Sequence, residues 1–298
     1  MRIEARRVAR IDFTASDLAA SMAFYEALGF KPGGILPVDG AELMLLGLPE
    51  SRAERLLMSL GDQEVGFVRF DPPGRPYPVG STSTDLWFQH IAIAVSDMAE
   101  AHCRALAVGA VPITGDGPQT LPANTGGVTA FKFRDPDGHP LELLAFPEGV
   151  GAAAWQNRPV DNPFLGIDHT ALASGDADKA TAFFAALGFR ASAASHNQGM
   201  EQERLDDVAD DRCRVVPLMP PEAPPHVELL AYEVGLRRPM PAGTQADDLW
   251  ATRTWIEVGS LAGDGITQSL ALAAGVRAAL LHDPDGHAVV LMESGEPE

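Results

Sequence analysis

Four residues of this chain, His90, Glu142, His169 and Glu228, bring together the side chains that hold a divalent cation, two imidazoles and two carboxylates. Neutral imidazole with carboxylate suits Zn, Ni, Co, Mn or Fe(II). Each of the four sits in a short apolar run of β-like alternation. In Trp87-Phe88-Gln89-His90-Ile91-Ala92-Ile93-Ala94-Val95, Ile91, Ile93 and Val95 share one face, and His90, Ala92 and Ala94 share the other. Leu141 and Leu143 likewise alternate with Glu142 and Leu144, so Glu142 points away from the layer against which the leucines pack.

The elements that must position these residues repeat along the chain. Glu142 follows the turn Asp135-Pro136-Asp137-Gly138, in which proline presets φ and glycine accepts φ > 0, and the same turn returns at Asp283-Pro284-Asp285-Gly286. Phe24-Tyr25-Glu26-Ala27-Leu28-Gly29-Phe30 closes a helix that starts at the Ser16-Asp17 cap, and Phe183 to Phe189 echoes it. Ile167-Asp168-His169-Thr170 echoes Ile11-Asp12-Phe13-Thr14. The chain reads as four βαβββ units at about 8–71, 86–147, 164–234 and 250–294. Strands are expected near 42–46 and 55–59 in unit one and near 200–204 in unit three, and a helix over 264–274 in unit four. Two tandem halves follow, 1–148 and 163–298, with 149–162 as linker.

Comparing the first and last strands of each unit isolates the chemistry. Units two and three supply His90 with Glu142 and His169 with Glu228, whereas unit one supplies Phe13 and Gly66, and unit four Arg253 and Val290. Glu293 lies an odd number of residues from Val290 and is expected to face away. The loop 121–127 and the polar stretch 197–204 are candidates for the rim.

A length of 298 residues with 46% hydrophobic residues is ample for a buried core. A net charge of −19 and only 22 Lys and Arg exclude a phosphate-neutralising nucleic-acid surface and disfavour an anionic membrane. No apolar run approaches the roughly 20 residues of a membrane span, and no secretory leader is legible, so a cytoplasmic protein is expected. Cys103 and Cys213 read as small buried hydrophobes, not as a disulfide.

The helix ends at 24–30 and 183–189, together with Asp135-Pro136-Asp137-Gly138-His139-Pro140-Leu141-Glu142, resemble the vicinal oxygen chelate superfamily, which includes glyoxalase I, extradiol dioxygenases and bleomycin or fosfomycin resistance proteins. The resemblance implies an α+β fold of four βαβββ modules pairing into two open half-barrel cups with helices outside, unit two with unit three so that one cup gets all four residues, and units one and four in a second cup without a metal set, whose Arg253 could take an anion. It implies one divalent metal on His90, Glu142, His169 and Glu228, and a small-molecule substrate. A glyoxalase-like reaction would move a carbon-bound proton beside a carbonyl, with Glu142 or Glu228 as base and the metal stabilising an enediolate. An extradiol-type dioxygenase and a non-catalytic binding protein of the resistance kind are the alternatives. His196 is the available second-sphere histidine for the former, while Tyr25, Tyr77 and Tyr232 have no evident cup-facing position. Either a monomer or a homodimer accommodates the paired modules.

Overall fold

The structure, a computed structural model, describes residues 3–156, 162–262, 266, 268–272 and 275–293. Unit one runs β1 (Ala5–Thr14), α1 (Leu18–Ala27), β2 (Lys31–Pro37), α2 (Gly40–Leu45), β3 (Arg52–Leu60) and β4 (Gln63–Asp71). Unit two has β5 (Gln89–Val95), α3 (Met98–Ala107), β6 (Val111–Pro112), β7 (Gln119–Thr120), β8 (Thr129–Arg134) and β9 (Pro140–Ala145). Unit three has β10 (Phe164–Ala173), α4 (Ala177–Ala186), β11 (Arg190–Ala191), β12 (Ser195–Gln198), α5 (Met200–Asp206), β13 (Arg212–Met219) and β14 (His226–Tyr232). Unit four contributes β15 (Arg253–Val258), β16 (Leu270–Ala271), β17 (Arg277–His282) and β18 (Ala288–Glu293).

Each unit folds so that its last long strand lies parallel beside its first, and the units then join edge to edge through their first strands. One sheet runs β16-β17-β18-β15-β1-β4-β3-β2, and the other β11-β13-β14-β10-β5-β9-β8-β6. Unit one therefore pairs with unit four and unit two with unit three, both through antiparallel first strands. The sheets cross the two tandem halves instead of following them.

Helices α1, α3 and α4 start where an aspartate supplies the cap. Asp17, Asp97 and Asp176 each accept from backbone N–H groups of the first turn, satisfying donors that have no partner inside the helix. Their inward residues join a core built on one face of both sheets. Tyr25 packs on Phe67 with centroids 4.4 Å apart, His102 on Phe131 at 4.4 Å, and Phe184 on Phe189 at 5.5 Å. Gly188 lets α4 meet β1, since a Cβ there would stand 3.0 Å from the Ala5 nitrogen.

The repeated turn fastens one cup to the other. Asp135 Oδ1 accepts from the nitrogens of Asp137 and His139 at 3.0 and 2.9 Å, and Asp283 Oδ1 does the same for Asp285 and His287, both at 2.9 Å. The hairpins then dock on the opposite sheet. Asp137 accepts from the nitrogen of Ser16 at 3.0 Å, and Asp285 Oδ2 accepts from the hydroxyl of Ser174 at 2.9 Å and the nitrogen of Gly175 at 3.0 Å. His139 and His287 reach the carbonyls of Leu249 and Ala173.

Several expectations change. The strands expected at 42–46 and 200–204 are the helices α2 and α5. Asp39 caps the first, and the buried Gln202, Leu205 and Asp206 of the second recur at helical spacing. The helix expected over 264–274 lies partly outside the described residues, and within it Leu270–Ala271 form a short strand. Cys103 is exposed; only Cys213 is buried.

Phe13 faces the helix layer, stacked on Phe67 at 5.7 Å, and not the cup. The reason is a conflict between two echoes. The helices repeat at one offset, and the matched register shifts in β1 and β10 follow it, making Arg10 the counterpart of His169; the Ile11-Asp12-Phe13-Thr14 echo is three residues out of step.

Asp285 joins the two sheets through two short bonds to one carboxylate. Asp285→Ala is expected to lower unfolding free energy by about 2 kcal/mol, the range for losing hydrogen bonds to a charged acceptor, read as a lower urea midpoint at unchanged slope.

Candidate metal centre

Pairing β5 with β10 sets Ala171 opposite His90 and Ala92 opposite His169, so both imidazoles project from one face, with ring centroids 5.6 Å apart. The parallel neighbours add the carboxylates, Glu142 beside Ala92 and Glu228 beside Ala171. All four expected residues thus enter one cup. Ligand atoms of His90, Glu142 and His169 lie within 4.8 Å of one another. Glu142 Oε2 stands 3.2 Å from His90 Nε2 and 3.7 Å from His169 Nε2, while Glu228 Oε2 is 3.5 Å from His169 Nε2. The fourth residue is therefore one step outside the tight trio.

The ring nitrogens fit a metal better than they fit each other. Both nitrogens of His90 and Nε2 of His169 are buried without a hydrogen-bond partner among the described residues, although carboxylate oxygens stand close by. Atoms that converge without bonding directions leave room for an ion between them. Asp168 Oδ2 accepts from Nδ1 of His169 at 3.0 Å and is itself held by the Trp155 indole, which directs Nε2 toward the trio.

Burial opposes charge throughout the site, and neighbours overrule it at Glu142, His169 and Glu228 but not at His90. Glu142 is held at about 2, because Lys132 and then His90 and His169 outweigh the burial that would raise it. Burial alone would lower His169, but Glu228, Asp168 and Glu142 lift it to about 9. For His90 burial prevails over the attraction of Glu142, and its basicity falls. The acidic strength of Glu228 is increased, with His169 and His226 overcoming burial.

The cup encloses a cavity of about 520 Å³ above these residues. Leu121, Val128, Leu144, Phe146, Val215 and Leu230 form apolar walls, Thr125 and Gly126 of the 121–127 loop and Ser195 and Asn197 of β12 sit among its lining, and Lys132 is its only Lys or Arg among the described residues. From the 197–204 stretch, α5 contributes Gln202, while His196 is exposed.

Four participants escape the motif reading. His226 stands two residues before Glu228 on the same strand face, its Nε2 3.4 Å from Glu228 Oε1; the period of two was the available signal. Lys132, opposite Glu142 on β8, is buried with Nζ 4.0 Å from Glu142 Oε1 and directly paired with Asp206. Asp206 comes from α5, which pattern reading assigned to a strand. Tyr232 shares the face of Glu228, buried beside Cys213. In the other cup the four equivalent positions hold Arg10, Gly66, Arg253 and Val290, and Glu293 turns outward to accept from the nitrogen of Leu261.

The model of the Glyoxalase/Bleomycin resistance protein/Dioxygenase superfamily matches residues 7–143 and 166–291. A glutamate-to-glutamine mutant of glyoxalase I from Zea mays superposes with a TM-score of 0.64 at 17% identity, over 97% of this chain and 94% of that one. A proposed dioxygenase from Bacillus subtilis gives a TM-score of 0.60 at 14% identity, over 99% and 86%. No curated protein matches in sequence. At these identities the likeness is one of fold.

With His169 raised to about 9 by Glu228, Asp168 and Glu142, a metal bound through its Nε2 would displace a proton at neutral pH. Metal affinity is therefore expected to rise roughly tenfold per pH unit below about 9, with about one proton released per ion at pH 7. Titration calorimetry in buffers of different ionisation enthalpy measures that release directly. Lys132→Met strands the buried Asp206 and Glu142 charges and is expected to cost about 3 kcal/mol of stability, part of which Lys132→Met with Asp206→Asn restores in denaturant unfolding.

Proposed function

The chain belongs to the Glyoxalase/Bleomycin resistance protein/Dioxygenase superfamily, and from that premise we propose that it is a metal-dependent enzyme of the glyoxalase type, moving a proton on the carbon next to a carbonyl of a small molecule. The observation that carries this is the convergence of His90, Glu142 and His169, with Glu228 beside them, at one side of a 520 Å³ cavity with apolar walls. A divalent ion held by these residues would polarise the substrate oxygens and stabilise charge developing on them.

The roles of the chain's own groups follow from their surroundings. Glu142 sits between His90 and Lys132 and is held at about 2, which makes it a charge-bearing anchor and a poor proton acceptor. Glu228 is the better base. Its side chain is 17% exposed against 7% for Glu142, and its two oxygens divide between His169 and His226. A proton taken by Glu228 has His226 Nε2 3.4 Å away as its next stop. The apolar walls exclude water around the reacting carbon and favour a substrate whose body is uncharged.

A second reading has its own observation. The tight trio is two histidines and one carboxylate, with Glu228 engaged by His226, which is the ligand pattern of non-haem Fe(II) oxygenases. Oxygen uptake with catechols on the iron-loaded protein separates it from the first.

Glu228→Gln is expected to retain bound metal while slowing exchange of the substrate's carbon-bound hydrogen with deuterated water by about a hundredfold or more, the usual share of a positioned base. Glu142→Gln and His90→Ala are expected to lose the ion as well, measured by elemental analysis of the purified variants. The assay uses hemithioacetals of 2-oxoaldehydes and 2-hydroxyketones, and full exchange by Glu228→Gln would reject Glu228 as the base.

A further inference from the structure

Lys132 is the one lysine or arginine among the described residues that line the first cup, and its charge is cancelled before any ligand arrives. Its Nζ pairs directly with Asp206 and stands 4.0 Å from Glu142 Oε1. Burial alone would lower its basicity, but Asp206 and then Glu142 raise it, so the ammonium stays charged and stays matched. Asp206 is fixed in this position from both ends. Its Oδ2 accepts from Gln202 Nε2 at 2.5 Å, and its backbone carbonyl accepts from Ser83 Oγ at 3.0 Å. Arg204 of the same helix turns to Asp116 instead, 3.5 Å away. Asp211, buried near Asp206, is pushed up to about 8 by burial and by Asp206, so it adds little charge at pH 7.

A ligand entering the cup therefore meets carboxylates more than cations. The side chains of Glu228 and Asp168 are 17% and 10% exposed, against 4% for Lys132. A divalent ion on the histidines and glutamates would be balanced by Glu142 and Glu228, and Lys132 is balanced by Asp206, which leaves the Asp168 charge uncompensated. A carboxylate carried in by a substrate would lose its water, find no free cation among the described residues and be repelled.

We propose that the first cup selects uncharged substrates against carboxylate-bearing ones, and that Asp206 sets this preference by cancelling Lys132. The inference rests on the metal-dependent reading of the same cup and narrows it to neutral carbonyl compounds whose body fits the apolar walls. Asp206 is a positioning residue here, acting on the ligand only through the Lys132 charge.

Benzohydroxamate and 4-carboxybenzohydroxamate share a metal-chelating head and differ by one charge. Their affinities for the zinc-loaded full chain are measured calorimetrically. The carboxylate is expected to bind at least tenfold more weakly, the order given by two like charges about 10 Å apart at an effective dielectric of about 20. Asp206→Asn keeps the shape of the side chain and is expected to narrow that gap at least threefold, because Lys132 is released; adding Lys132→Met is expected to widen it again. A ratio of two affinities is insensitive to a general change in metal binding. Val215→Lys puts a new cation on the wall, leaves the Lys132 pair alone and is expected to narrow the gap in its own right. Equal or tighter binding of the carboxylate, a gap unchanged by Asp206→Asn or by Val215→Lys, or no binding of either probe would each overturn the assignment. Failure of the enzymatic reading alone shows differently, as absent hydrogen exchange on neutral 2-hydroxyketones beside an intact gap.

Discussion

The antiparallel contact between β5 and β10 is the interaction on which the rest depends. It joins strands from different halves of the chain and sets His90 opposite Ala171 and His169 opposite Ala92. A slip of one residue would put the two imidazoles on opposite faces of the sheet, one of them in the helix-facing core. The junction is reinforced by polar side chains: the Thr170 hydroxyl donates to the His90 carbonyl at 3.0 Å, and Gln89 donates to Thr170 and to Thr254 of the other sheet. Glu142 and Glu228 need only follow as parallel neighbours of those two strands.

Much of this was legible in the chain because a βαβββ unit repeats and a strand has period two. Those two regularities suffice to find the units and the side of each strand that His90, Glu142, His169 and Glu228 occupy; the crossed pairing that unites them rested on the family resemblance and is seen in the strand order. What stayed hidden has physical causes. Local similarity aligned Phe13 with His169, but the helices repeat at a different offset, the register shifts of β1 and β10 match at that offset, and the counterpart of His169 is Arg10. Helices α2 and α5 are short enough that their apolar spacing also fits a strand. Nothing in the strand pattern marks Lys132, because its pairing depends on Asp206 arriving from an element seventy-four residues later.

One architecture thus supports two opposite electrostatic outcomes. The first cup gathers Glu142, Glu228, Asp168 and Asp206 around Lys132 and the histidines, an excess of negative charge that suits a cation. The second gathers three guanidinium groups around Asp12 and Glu42, an excess of positive charge. The difference rests on a few positions at matched registers, where glutamate in one cup is glycine or valine in the other. The surrounding strands, caps and docking turns are common to both.

The crossed pairing also bears on how the chain reaches this state. Every first-strand junction links residues far apart in sequence, β1 with β15 and β5 with β10, so the contact order is high and closure of very large loops must precede formation of either cup. While the second half is still being synthesised, β1 and β5 are open edges, each with a row of unpaired backbone donors and acceptors. The nascent first half is therefore the vulnerable species, a pair of half-sheets whose nearest complement is the same half of another chain, and exchange of halves between chains is the natural misassembly of this fold.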